Sequence, residues 1–165
     1  LTKMSSLLRA TLDNMNEKLV PFLSEYKICQ NYMYLESLRF SDKFDYKFEP
    51  IKNMTVEQWM IPPGIIEPFL ENAVNHAFTG VKRKGKITLQ HKIEDNKLII
   101  TVQDNGIGMK VSPLNNKKRH GLKITKDYID TVSKLYKSPI VLKISSKKGT
   151  TIVLSIPKLN PYIVA

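Results

Sequence analysis

The sequence predicts an α+β fold, a two-layer sandwich of helices on a mixed, mainly antiparallel sheet, preceded by N-terminal helices. Three observations predict it. From residue 43 onward, apolar patterns of period two and period 3.6 follow in the order strand, helix, strand, strand, loop, helix, strand, strand. Most strands come as pairs joined by short polar turns, which is the signature of hairpins. A hydrophobic content of 42% over 165 residues can fill one real core, so the chain does not read as disordered.

Each element has its own reason. Residues 1–16 read as a helix with Met4, Leu7, Leu8, Leu12 and Met15 on one stripe, ended by Pro21. Ser24 is placed to cap a second helix over 25–40, with Ile28, Tyr32, Leu35 and Leu38 on its apolar side. "KFDYKFEP" alternates Phe44, Tyr46 and Phe48, a strand of period two. Residues 51–60 form a connection that holds Trp59, the single tryptophan. In "IPPGIIEPFLENAVNHAF", Pro62 and Pro63 suit a first helical turn, and Pro68 kinks the helix or marks its start. "KGKITLQHKIED" and "KLIITVQD" make a hairpin turning at Asn96. Residues 105–120 are polar and irregular. A helix is predicted over 121–137 from Leu122, Ile129, Val132 and Leu135, and two last strands, "IVLKIS" and "TTIVLSIP", flank the turn "SKKGT".

The net charge of +11 attracts polyanions: nucleic acid, anionic lipid or nucleotide phosphates. The basic residues cluster at Lys82, Arg83, Lys84 and Lys86, at Lys117, Lys118, Arg119 and Lys123, and at Lys147 and Lys148, all expected at turns. Cys29 is the one cysteine, so no internal disulfide forms, which fits a reducing compartment. No apolar run reaches membrane-spanning length. The chain starts at Leu1 and runs at once into helical patterning, which is expected of a fragment of a longer protein.

Four stretches carry chemistry. On a helix, Asn72, Asn75 and His76 share one face beside Glu71, among the apolar Phe69, Leu70, Ala73 and Val74. An asparagine carbonyl is a hard oxygen that suits Mg²⁺, although a polar outer stripe on an amphipathic helix has the same pattern. "DNGIGM" ends a buried strand with Asp104, whose carboxylate can accept a hydrogen bond from an exocyclic amine such as that of adenine. Gly106 and Gly108 allow positive φ and close backbone approach. A tight hairpin turn would lead straight into a strand, whereas the polar run "KVSPLNNKKRH" follows, the mark of a lid or binding loop. Gly121 in "HGLKI" opens the next helix, where free N–H groups bind phosphate. In "KKGTT", Gly149 makes a turn and the Thr150 hydroxyl can reach the Asp104 carboxylate or a water beside it.

In this order the stretches resemble the Bergerat-type ATP-binding domain shared by sensor histidine kinases, gyrase, Hsp90 and the MutL proteins. "NYMYLESLRFSDKFDYKFE" followed by "IPPGIIEPFLENAVNHAF" is similar to the LytS-like, internal-region sensor histidine kinases. The resemblance runs from about Leu7 to Pro157. It implies residues 1–40 as a remnant of dimerisation and linker helices and 41–165 as the ATP-binding catalytic domain. It implies ATP and Mg²⁺ as cofactors, with Asn72 holding the metal against the phosphates and Asn75 and His76 lining the phosphate side. Asp104 would recognise the adenine amine, Gly106 and Gly108 would start the ATP lid, Gly121 and Leu122 would close it, and Thr150 would support the adenine contact. Glu71 and His76 are the candidates for a catalytic role.

The sequence departs from that pattern in places. Arg119 stands where the family usually has glycine, and is placed to touch phosphate instead. Asn75 stands where lysine is common. Hydrolytic members carry a glutamate where this chain has Pro68, so water activation is poor and a kinase is favoured over an ATPase. The family's phosphoacceptor histidine lies on an upstream helix. His76, His91 and His120 fall in the nucleotide helix, a strand and the lid loop, so the acceptor is expected to lie outside the fragment. The resemblance then implies γ-phosphoryl transfer from ATP to that histidine and on to a response-regulator receiver domain. It implies a homodimer in the full-length protein, and a cytoplasmic domain of an inner-membrane sensor. The alternatives are an ATPase clamp of the same superfamily, a degenerate domain that binds no nucleotide, or a basic nucleic-acid-binding module. The last lacks any stacked-aromatic motif, and no nucleic acid is expected as a partner.

Overall fold

The structure, a computed structural model, describes residue 13 and residues 16–108 and 116–160, with the backbone alone at 116–120. The expected first helix over 1–16 thus lies, but for residues 13 and 16, outside the described residues. Along the chain run β1 (Val20–Pro21), α1 (Phe22–Arg39), β2 (Phe44–Phe48), α2 (Met54–Glu57), β3 (Met60–Ile61), α3 (Glu67–Asn72) and a π-helical stretch Ala73–Ala77. These are followed by β4 (Gly85–Glu94), β5 (Lys97–Asp104), α4 (Asn116–Leu135), β6 (Val141–Ser145) and β7 (Thr151–Pro157). Five strands form one sheet in the order β2-β4-β5-β7-β6, in which only β2 and β4 are parallel neighbours. The sheet is mixed and mainly antiparallel, as the hairpin pattern predicts.

The core lies between one face of this sheet and the helices. Strand alternation sends Ile87 and Leu89 of β4, Leu98, Ile100 and Val102 of β5, and Ile152, Leu154 and Ile156 of β7 to that face, all buried. Cross-strand register aligns them in rows, Leu89 with Val102 and Ile152, and Ile100 with Leu154. The opposite face carries Lys47, Lys86, Gln90, Gln103 and Lys143 and meets solvent. Asp95 and Asn96, at φ 48° and 56°, close the β4–β5 turn in the left-handed pair of conformations that matches strand twist.

The helices differ from the expectation in their starts. Helix α1 begins at Phe22, directly after Pro21, with no side-chain cap, so Ser24 sits inside its first turn and caps nothing. Pro21 itself lies in β1, paired with Met60 of β3. The buried stripe of α1 is Phe22, Tyr26, Cys29 and Met33, with Glu25 and Ile28 beside it, while Leu38 is exposed. Pro68 marks the start of α3 in its first turn rather than a kink, and Pro62 and Pro63 precede the helix. Helix α4 begins at Asn116, five residues ahead of the expected 121. Its inner stripe is Leu122, Thr125, Ile129 and Val132, continued by buried Tyr136 just past its end, and Leu135 faces out. The basic residues Lys117, Lys118, Arg119 and Lys123 thus belong to a helix and not to a turn.

Candidate functional site

The inward alternation of β5 runs Leu98, Ile100, Val102 and then Asp104, so the fourth buried position is an acid, 5% exposed. Burying a carboxylate is costly unless it is hydrogen-bonded. Oδ1 of Asp104 accepts the N–H of Gly106 at 2.8 Å and of Thr150 at 3.2 Å. The first bond closes a turn at the strand end, as Asx side chains do. The second ties it to the β6–β7 connection, where the N–H of Asp104 also donates to the Thr150 carbonyl at 2.9 Å. Thr150 meets the carboxylate through its backbone N–H, drawn in by main-chain pairing, whereas the sequence points to its hydroxyl, on the carboxylate or on a water beside it.

Glycines let the segments meet. A Cβ on Gly106 would collide with the carbonyl oxygen of Ala77, the end of the π-helical stretch, and Ile107 N–H donates to that oxygen at 2.8 Å. Gly149, at φ +84°, packs on the Asp104 carbonyl and leaves no room for a side chain. The strand end, the Asn-bearing helix and the β6–β7 turn therefore converge on one point. On that helix Ala73, Val74 and Ala77 are buried, Glu71 and Asn75 are exposed, and Asn72 and His76 are half-buried, so the polar groups share the outer side as expected. The π-helical stretch was not legible in the sequence; such insertions recur at functional sites.

One expectation is corrected. Gly121 does not open a helix: it lies in the second turn of α4, exposed, and the added Cβ would meet nothing within 4 Å. Its N–H is thus inside the helix and is not one of the free terminal donors. Leu122 is half-buried and packs on the core. The side chain of Arg119 and residues 109–115, where the lid is expected, lie outside the described residues. Asn105, not singled out beforehand, proves structural. It accepts Lys86 N–H on Oδ1 at 2.7 Å and the Arg83 guanidinium on its carbonyl at 2.6 Å, locking the strand end to β4. An amide before a glycine gives no sequence signal separating this role from a turn.

Among the described residues, no three His, Cys, Asp or Glu side chains group to hold a metal ion by themselves. The donors beside Asn72 are one amide oxygen and the exposed Glu71. That set fits Mg²⁺, which keeps its waters and takes one or two protein ligands plus substrate phosphates, and it does not fit an all-protein metal cage. A groove of about 790 Å³ along β4, lined by Lys47, Glu49, Lys52, Lys86 and Gln90 among others, includes none of the residues expected at the site.

A mixed sheet covered on one face by helices, with a buried strand-end acid beside an asparagine-bearing helix, is the Bergerat ATP-binding fold. The description "Histidine kinase-, DNA gyrase B-, and HSP90-like ATPase" matches residues 64–160, and "Histidine kinase" matches residues 1–44. The chain belongs to the histidine kinase-, DNA gyrase B- and HSP90-like ATPase family. It is 30% identical over 159 residues to the sensor histidine kinase YesM of Bacillus subtilis, covering 95% of this chain and 27% of that protein. It is 30% identical over 124 residues to the sensor protein LytS of Oceanobacillus iheyensis, covering 72% of this chain and 20% of that one. The chain thus spans about a quarter of the length of these curated relatives. The histidine kinase domain of a blue-light activated kinase from Erythrobacter litoralis shares the fold at a TM-score of 0.61 and 18% identity, over 95% of this chain and 74% of that one. The histidine kinase AdeS of Acinetobacter baumannii does so at 0.59 and 14%, over 94% and 77%.

Proposed function

We propose that this chain is the ATP-binding catalytic part of a two-component sensor histidine kinase, and that it delivers the γ-phosphoryl group of ATP to a histidine elsewhere in the longer protein. The observation that carries the reading is Asp104. Its Oδ1 is committed to two backbone amides, which leaves Oδ2 for the exocyclic amine of adenine. Asn72, with Asn75 and His76, faces the phosphates, and Mg²⁺ held there would offset their charge. Phosphoryl transfer relies mainly on such positioning and charge stabilisation. His76 and His91 do not serve as acceptors: His76 belongs to the nucleotide helix, and the His91 ring contacts the Glu49 carbonyl at 3.1 Å and Phe22. Likeness to LytS and YesM supports a response-regulator receiver domain as the next acceptor. It also supports a homodimer and a membrane anchor in the longer protein; among the described residues no helix is long and apolar enough to cross a membrane. Pro68, in place of a carboxylate, favours transfer over hydrolysis.

The test is calorimetric titration of a non-hydrolysable ATP analogue, with and without Mg²⁺, into this chain and its Asn72→Ala and Asp104→Asn variants. The reading requires binding that is strengthened by Mg²⁺, a strengthening lost in Asn72→Ala and an overall weakening in Asp104→Asn. An unaltered chain that binds no analogue defeats it.

A further inference from the structure

The turn leading into α3 is held from two sides. From α1, Glu25 accepts the N–H of Gly64 on Oε2 at 3.1 Å and that of Ile66 on Oε1 at 3.4 Å. From α4, the Tyr128 hydroxyl donates to the Pro63 carbonyl at 2.9 Å. Glu25 is 1% exposed and sits on the face of α1 that otherwise buries Phe22, Tyr26, Cys29 and Met33. Its ion-pair partners are none among the described residues. An apolar side chain would fill that position without the cost of desolvating an acid. What an acid supplies there is the pair of bonds to the turn.

Those bonds span the chain's two parts: Glu25 lies in the segment matched by the histidine kinase description, Gly64 and Ile66 in the segment matched by the ATPase description. Helix α3 starts one residue after Ile66 and ends at Asn72. It runs on into the π-helical stretch, whose far end is pinned where Ala77 accepts the Ile107 N–H at 2.8 Å, so a shift of its start is felt at Asn72, which lies between the two. Asp104 has further anchors of its own, in Thr150 and, through its neighbour Asn105, in β4.

We propose that Glu25 is a positioning residue that couples α1 to the phosphate side of the nucleotide cleft, by fixing the start of the helix that carries Asn72. A displacement of α1 then changes how Asn72 meets the metal and phosphates while the adenine side stays in place. The inference rests on the nucleotide reading above.

The test separates the two sides of the cleft. The unaltered chain, Glu25→Ala and Glu25→Gln are titrated with ADP in the presence of EDTA, and with a non-hydrolysable ATP analogue plus Mg²⁺. In Glu25→Ala the gain in affinity conferred by Mg²⁺ falls about tenfold, the low end of what loss of a supporting partner costs a metal site, and metal-free ADP binding is unchanged. Glu25→Gln, which keeps one acceptor oxygen, recovers part of the gain. A full Mg²⁺ gain in Glu25→Ala overturns the coupling, as does an equal loss of ADP and ATP-analogue binding, which marks a merely structural role. If Glu25→Ala does not fold, Glu25→Gln decides alone: an intermediate gain supports the coupling and a full one overturns it. An unaltered chain that binds neither nucleotide fails the nucleotide reading itself, and the inference falls with it.

Discussion

Asp104 and Thr150, 46 residues apart, are bonded twice: the Asp104 N–H donates to the Thr150 carbonyl at 2.9 Å, and the Thr150 N–H donates to Asp104 Oδ1 at 3.2 Å. The carboxylate is thus part of the sheet's own bonding. Its charge, however, is not needed for that bonding, because a neutral amide oxygen accepts the same N–H groups. The residue therefore separates two roles that usually mix, holding the strand end and presenting a charged acceptor.

Asp104→Asn exploits the separation. Oδ1 of asparagine keeps both backbone bonds, so the thermal midpoint moves little. The nitrogen that replaces Oδ2 turns a donor towards the adenine amine. Loss of a charged hydrogen bond costs about 1.5–3 kcal/mol, so ATP-analogue affinity drops roughly 10- to 100-fold. Calorimetry beside a thermal melt reads both quantities. Equal affinity in the two proteins would dismiss the role assigned to this acid.

Gly149→Ala attacks the same junction from the other strand. The residue sits at φ +84°, and its new Cβ would run into the Asp104 carbonyl and lie 2.8 Å from the Asn105 Cα. Left-handed strain costs roughly 1–2 kcal/mol and forced overpacking adds a similar amount. Urea denaturation should therefore show a loss of about 2–4 kcal/mol, together with weaker nucleotide binding. Gly121→Ala is the contrast. Its Cβ meets open space within a helix, where alanine is favoured over glycine by about 1 kcal/mol, so stability rises.

How much of this was legible in the sequence follows from what each signal reports. Period-two alternation gave the inner rows of β4, β5 and β7, and with them the burial of Asp104, because register and facing are fixed by a pattern along one strand. Helix starts were less visible. Ser24 resembles a cap, yet α1 begins earlier, where Pro21 leads out of a two-residue strand pairing that no local pattern shows. Helix α4 begins in a polar, basic stretch whose composition resembles a loop, so Gly121 was read as a helix start. The roles of Glu25 and Asn105 depend on backbone groups 39 and 19 residues away, which only the fold brings near.

Tyr128 tests the second hold on the turn before α3. Burial, with the charge of Glu25 and then Tyr136 adding to it, pushes its hydroxyl up to about 12, so it remains a donor to Pro63 across the working range of pH. Tyr128→Phe removes that bond and leaves a carbonyl short of a partner. The expected loss is about 0.5–1.5 kcal/mol by urea denaturation at about pH 8, and it shrinks by about 0.4 kcal/mol by about pH 10, where half of the unfolded chain's tyrosine has ionised. No loss at about pH 8 would mean that the hydroxyl is not held as described.

Glu25 makes stability depend on pH in a direction unusual for an acid. Burial raises its carboxyl from the ordinary glutamate value of about 4.5 to about 7, the Gly64 and Ile66 amides pull it back in part, and the nearby Glu67 pushes it further up. Glu67, on α3, is itself raised by burial and by Glu71; Tyr128 faces the acid from α4 and Cys29 lies along α1, and both are neutral in this range. Between about pH 4.5 and 7 the folded chain therefore holds a proton that the unfolded chain has released, so folding stability falls as pH rises through that window. A difference of about 2.5 pKa units corresponds to about 3 kcal/mol, present below the unfolded value and lost above about pH 7. Glu25→Gln cannot ionise, so its stability relative to the unaltered chain should improve steadily from about pH 5 to about pH 8. Urea denaturation at a series of pH values measures it directly. Parallel pH profiles for the two proteins would show that the acid is not the group responsible.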